Sequence, residues 1–150
     1  MFISDVNLLL YAFDPSSPFY SRARSWLGAM LDGRDAFGLP EIVLASVVRL
    51  LTNPRVFRTP APIGIAMDYV EVLRRAPSVI VLNPGPSHFG IFSELCRAAN
   101  AVGDLVPDAY LAAMALEHDA TLCTNDRGFR RFAGLKLAFP LLDPAAASRP

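Results

Sequence analysis

At 150 residues, 53% hydrophobic and 19% charged, the chain has the size and composition of one folded domain and not of a disordered segment. A formal net charge of zero argues against a strongly basic nucleic-acid coat, although Lys136 is the only lysine among 14 basic residues and arginine is the better phosphate fork. No apolar run approaches the roughly 20 residues that span a bilayer, the N-terminus lacks a signal-peptide pattern, and Cys96 and Cys123 are too few and too far apart for a zinc motif or disulfide framework. A reduced, cytoplasmic protein with no membrane partner is expected.

Phe2 to Asp5 reads as a strand, and Val6 to Phe13 as a short buried helix closed by Asp14-Pro15. Ser17, as N-cap, and Pro18, at the first helical position, open a second helix. Its stripe is Tyr20, Ala23, Trp26, Leu27 and Met30, and Gly33 stops it. Ala36 to Leu39 is a brief strand. Pro40-Glu41 opens a third helix that runs to about Leu51, where Thr52-Asn53-Pro54 breaks it. Pro62 starts a fourth, with Ile65, Tyr69, Val72 and Leu73 as its inner stripe, ending before Pro77.

Ser78 to Leu82 is a continuous apolar strand of the kind expected inside a parallel sheet. Ser87 caps the next helix, which reaches about Ala101, and Pro107-Asp108 opens an alanine-rich helix, Ala109 to His118, suited to close packing on the sheet. Ala120 to Thr124 is a strand, Asp126 to Phe132 a short helix, and Leu135 to Phe139 the last strand. Residues 144–150 read as a loose tail. Alternating strands and helices predict a single α/β domain over residues 1–150, three-layered α/β/α with a central, mostly parallel sheet.

The acids fall in a pattern. Asp5 ends the first strand, Glu41 opens the helix after the second, Asp108 opens the alanine-rich helix, and Asp126 follows the strand Ala-Thr-Leu-Cys-Thr. Open α/β sheets place ligands at the C-terminal strand edges, so four carboxylates would meet at one edge. Each alone could be no more than a helix cap or a dipole partner. Together they repel unless a cation offsets them, and hard Mg2+ or Mn2+ takes oxygen ligands. Such a site suits phosphodiester hydrolysis by metal-activated water.

The blocks Asp5-Val6-Asn7-Leu8-Leu9, Val48-Arg49-Leu50-Leu51-Thr52-Asn53-Pro54-Arg55-Val56-Phe57, Asp108-Ala109-Tyr110-Leu111-Ala112-Ala113-Met114-Ala115 and Thr124-Asn125-Asp126-Arg127-Gly128-Phe129-Arg130-Arg131-Phe132 occur in one order over nearly the whole chain. In this the chain resembles PIN-domain ribonucleases of the VapC toxin type. The resemblance implies an endoribonuclease dependent on Mg2+ or Mn2+, an RNA substrate, and a VapB-type antitoxin that silences it. It also implies a homodimer through the helices around residues 18–32 and 62–76.

Asp5, Asp108 and Asp126 match the family's acids, and Asn7 its polar residue two positions after the first of them. Thr124, Arg49 and Arg127 are placed beside the acids or the substrate. Val6 stands where the family usually has a hydroxyl. The family's helix glutamate falls near Ser46, and Glu41 lies five positions earlier, a helical rotation of about 140°, so it would reach the cluster only from the helix start. His88, His118, Cys96 and Cys123 read as structural.

Two other enzyme classes put acids at strand edges. A response-regulator receiver needs a lysine at the end of its fifth strand, and Lys136 lies inside the last strand instead. A haloacid-dehalogenase phosphatase opens with Asp-x-Asp, and the third position here is Asn7. The rival from another class is a catalytically inactive PIN scaffold that binds RNA or a protein.

Overall fold

Five short strands pair in parallel in one sheet, ordered third, second, first, fourth, fifth by their position in the chain. The computed structural model describes residues 1–142, so the expected tail at 144–150 lies outside the described residues. In chain order the elements are β1 (Phe2–Ser4), α1 (Val6–Phe13), α2 (Tyr20–Leu31), β2 (Phe37–Pro40), α3 (Glu41–Leu51), α4 (Ile63–Arg75), β3 (Val79–Leu82), α5 (His88–Ala98), α6 (Leu105–Glu117), β4 (Thr121–Cys123), a turn of 3-10 helix (Arg127–Arg131) and β5 (Lys136–Ala138). This is the expected α/β architecture with a parallel sheet.

The topology makes the functional edge. From central β1 the chain first builds outward through β2 to β3, then crosses back to place β4 on the other side of β1. Connections leave β1 and β4 in opposite directions, and the crevice between their C-terminal ends is where open parallel sheets bind ligands. Register fixes what meets there. Ser4 pairs with Cys123, so the next residues, Asp5 and Thr124, emerge side by side. The Asp5 amide donates to Cys123 O at 2.9 Å, and the Thr124 amide to Ala138 O at 3.0 Å.

Burial explains the local choices. Ile3, Phe37, Leu39 and Leu122 are fully buried, as strands covered on both faces require. The α3 residues Val43, Leu44, Val47 and Leu51 form one helical stripe into the core. On α6, Ala109, Ala112 and Ala113 are wholly inaccessible, so short side chains let that helix sit close to its neighbours. The turn after β3 is held from α6: the Glu117 carboxylate accepts from the Gly85 and Ser87 amides at 2.8 and 2.9 Å.

Several sequence expectations need correction. β3 is an edge strand, with no strand beyond it among the described residues, and Ile80 on it is 48% exposed. The buried stripe of α4 is Ala66, Val70 and Leu73; Ile65 and Val72 face outward, and Tyr69 is half-buried with its hydroxyl donating to Leu9 O at 2.9 Å. α2 starts at Tyr20 and not at Pro18, since Ser17 Oγ accepts from the Phe19 amide and makes a turn there first. α6 begins at Leu105, three residues before Asp108, because Pro107 is tolerated in a first turn that needs no amide donor. Ser87 occupies the cap position of α5 but its side chain makes no capping bond. No helix among the described residues is long and apolar enough to cross a membrane.

Gly38 gives a direct test of packing at the centre of the sheet. A Cβ there would lie 2.5 Å from Leu82 Cδ1 and 3.0 Å from Ile3 Cγ1. Gly38→Ala is expected to lower the unfolding free energy by about 1–3 kcal/mol, read as a lower urea midpoint at unchanged slope.

Candidate active site

The site is built on the seam between β1 and β4. Asp5 follows β1 directly and is 6% exposed. Its Oδ1 accepts from the Val6 amide at 2.6 Å, capping α1, and its Oδ2 accepts from the Thr124 hydroxyl at 2.6 Å. Capping and site-building are therefore the same geometry. Burial pushes the Asp5 carboxyl above its ordinary range; the Thr124 and Val6 hydrogen bonds oppose that, and the charge of Asp126 adds to it.

Thr124 organises its neighbours as well. Its Oγ1 accepts from the Asp126 amide at 3.0 Å and lies at a long 3.5 Å from Asn7 Nδ2. Asn7 Oδ1 takes the Asn125 amide at 3.4 Å. One hydroxyl thus ties the first acid, the last acid and the asparagine between strand and helix into a single unit. The carboxylate of Asp126 turns the other way and caps the 3-10 turn, with Oδ1 accepting from the Gly128 amide at 2.6 Å.

Asp108 sits in the first turn of α6 and is half-buried. It faces Asp5 across a small cleft of about 80 Å³ whose walls include Val6, Ile42, Ser46, Pro107 and Tyr110. Its pKa is raised to about 6, chiefly by desolvation and further by the charges of Asp5, Asp126 and Asp104, with Arg131 opposing the rise. Three of the four expected acids therefore sense one another electrostatically.

The fourth stands apart. Glu41, at the exposed start of α3, lies 3.5 Å from the Arg74 guanidinium and does not line the cleft. Ser46, five residues further along α3, does. Arg49 is exposed in the last turn of α3, and Arg127 is exposed immediately after Asp126. Sequence reading gave Tyr110 no role of its own, yet it walls the cleft. The available signal was its position three residues after Pro107, about one helical turn along the face that carries that proline. Asp104 stands at the cap position of α6 without a capping bond.

The donor set fits a hard divalent cation. It is all carboxylate and amide oxygen, with mutual repulsion already raising two of the acids. The buried Asn125 Oδ1 at this edge has no hydrogen-bond partner, and such an oxygen wants a donor or an ion. The cage is not closed, however. Among the described residues no three His, Cys or carboxylate side chains converge into a ready metal site, consistent with Asp126 being folded back onto Gly128.

Comparison with known proteins agrees with this geometry. A family model described as "PIN domain" matches residues 2–135. Ribonuclease VapC25 of Mycobacterium tuberculosis is 40% identical over 136 residues, covering 91% of this chain and 96% of that protein. VapC ribonuclease Mb2897 of Mycobacterium bovis is 38% identical over 141 residues, covering 94% and 96%. Among solved structures, VapBC2 from Rickettsia felis bound to a promoter DNA fragment matches with a TM-score of 0.70 at 16% identity, over 91% of this chain and 96% of that one. FitAcB from Neisseria gonorrhoeae matches with a TM-score of 0.66 at 21% identity, over 93% and 98%. At those identities the solved structures bear on the fold alone.

The raised pKa of Asp108 has a consequence for stability in chelator. Its folded value of about 6 lies above the ordinary 3.8, so the folded state binds the extra proton between those values. Stability from this group is full below about pH 4 and is lost as pH rises through 6. Asp108→Asn should therefore stabilise metal-free protein above pH 7, on the order of 1 kcal/mol after discounting for the group's solvent exposure, read as a higher melting temperature. The advantage should vanish near pH 4. Equal melting curves for both proteins across that range would sink this account of the cleft.

Proposed function

This chain belongs to the PIN-domain family, beside the VapC ribonucleases, and from that footing we propose that it is a divalent-cation-dependent endoribonuclease and the toxin of a toxin–antitoxin pair. The observation that carries the reading is the pairing of Asp5 and Asp108 across one cleft at the switch point of the sheet, with Asp126 tied to the same Thr124.

In this reading each residue has a physical task. Thr124 and the Val6 amide hold the Asp5 carboxylate in one orientation, so its remaining lone pairs face the cleft. Asp5, Asp108 and Asp126 hold Mg2+ or Mn2+, which when bound supplies Lewis-acid activation of the phosphodiester and of water. Asn7 positions the segment carrying Asp126 through the Asn125 amide. Arg131, whose charge already reaches Asp108, offers a guanidinium to the phosphate, and Arg127 and Arg49 extend that cationic rim. Glu41 joins only by leaving Arg74. Their ion pair is about half exposed, and such pairs hold by about 1 kcal/mol or less.

The partner reading has its own support. The crystal structures this fold matches include toxin–antitoxin assemblies, among them a complex from Klebsiella pneumoniae. Here a groove of about 310 Å³ runs between the α1 end and the segment leading into α4, walled by Phe13, Leu51, Phe57 and Ile65. An apolar segment of a VapB-type antitoxin is its proposed occupant. The proposed homodimer through residues 18–32 and 62–76 draws on outward apolar side chains of α4, Met67 and Val72. The inactive-scaffold alternative is favoured by one observation, the engagement of Glu41 by Arg74.

Purified, antitoxin-free protein with Mn2+ should cleave total cellular RNA at discrete sites, and Asp5→Ala or Asp108→Ala should abolish this, a loss of about a hundredfold or more. Mn2+ should also raise the melting temperature of the unaltered protein and not that of Asp108→Ala. A folded, unaltered protein that neither cleaves RNA nor is stabilised by Mn2+ would establish the scaffold reading instead.

A further inference from the structure

An aromatic path leads away from the cleft. Tyr110, on the cleft wall, packs its ring 5.6 Å from Phe92 and 4.3 Å from His88, measured between centroids. His88 is buried, stacks on Phe92 at an interplanar angle of 11°, and contacts the Tyr110 carbonyl at 3.1 Å through Nε2. Phe92 in turn lies 6.2 Å from Phe89. Phe89 is 74% exposed. Phe92 thus links the exposed Phe89 ring to the packed pair of His88 and Tyr110.

A bare phenylalanine at that exposure costs solvation free energy, so what it could face matters. It is the only exposed large hydrophobic side chain on α5 among the described residues. The positions around it are Gly90, where an added Cβ would meet nothing, and Ser93 and Glu94. A helix-binding surface needs anchors at successive i, i+3, i+4 and i+7 positions, and α5 offers one. A patch one ring wide, flat and backed by other rings, matches a single planar base. Unpaired bases are what aromatic side chains take from single-stranded RNA.

We propose that Phe89, packed on Phe92 and connected through it to Tyr110 at the cleft wall, is a stacking platform that seats one unpaired base of the RNA substrate. The inference rests on the ribonuclease reading above and adds a positioning residue to it. Stacking is tolerant of base identity because every base has a flat face. The platform therefore selects for unstacked, single-stranded RNA and not for a particular sequence. Duplex RNA, whose bases are already stacked, gains nothing from it.

The test uses full-length protein carrying Asp108→Asn, so that bound RNA is not cut, and an end-labelled pool of short single-stranded RNAs of randomised sequence. Adding Phe89→Ala should weaken binding about tenfold; Phe89→Trp should restore it. The Phe89→Trp indole should also lose fluorescence on binding the intact pool and keep it with the same backbone made abasic. Trp26, the only native tryptophan, is buried in the core and provides the unchanged background.

Binding indifferent to Phe89, or quenching equal with abasic RNA, overturns the platform while leaving the ribonuclease reading intact. A Phe89→Ala protein that loses RNA and also changes its sedimentation coefficient overturns it too, by marking this ring as a contact between copies of the chain. If the parent binds no RNA and the unaltered protein cuts none, the ribonuclease reading itself has failed, a result recognisably different from the other two.

Discussion

The hydrogen bond from the Thr124 hydroxyl to Asp5, 2.6 Å long and fully buried on the threonine side, is the contact on which the rest of the site depends. A carboxylate with 6% exposure is stable only if its lone pairs are occupied, and here strand pairing supplies the partners. The β1–β4 register puts Thr124 beside Asp5, and the start of α1 puts the Val6 amide under it. The same hydroxyl oxygen then accepts the Asp126 amide. A slip of one residue in that pairing would send the Thr124 hydroxyl to the opposite face of the sheet, leaving Asp5 buried and unpaired. Fold register and site integrity are one constraint in this chain.

That constraint also explains why the acids are strained rather than settled. Burial and neighbouring charge both favour the protonated forms of Asp5 and Asp108. The protein gives each fixed hydrogen-bond partners or a nearby arginine without neutralising the set. Asp126 turns its carboxylate away, onto the Gly128 amide. Positive charge in the cleft would relieve Asp5 and Asp108, which line it. The small volume between α3 and α6, about 80 Å³, admits an ion with a few waters and little else.

Much of this was legible because the informative residues act locally. Asp5 must follow an apolar strand, Gly and Pro must break elements, and alternating strands and helices leave few topologies. What sequence missed depended on neighbours it could not see. The run Ser78 to Leu82 reads as interior whether or not another strand lies beyond it, and among the described residues none does. The α4 stripe was misjudged because Ile65 and Val72 look like core residues, while the core is in fact met by Ala66 and Val70. Asp108 looked like a helix opener because Pro107 precedes it, yet a proline in a first turn leaves the helix free to start earlier. For Glu41 the limit was of another kind. Its distance from Ser46 along α3 could be counted, but Arg74 approaches from a different helix.

A chain of zero net charge with three coupled carboxylates at its working edge meets a problem if its substrate is RNA, since the polyanion is repelled where it must be held. Long-range steering offers little, because the charges balance over the whole molecule. Cationic groups that phosphate would meet at this edge are a few arginines, and Arg131 is the one whose charge acts on Asp108. Affinity must then come largely from contacts that do not involve charge. Aromatic faces supply it without adding a cation that would compete with metal for the acids. The line of rings from Tyr110 at the cleft to Phe89 at the surface is the one feature of this edge with that property. If RNA is the substrate, base stacking would supply the hold that a zero net charge does not, without placing a cation beside the carboxylates.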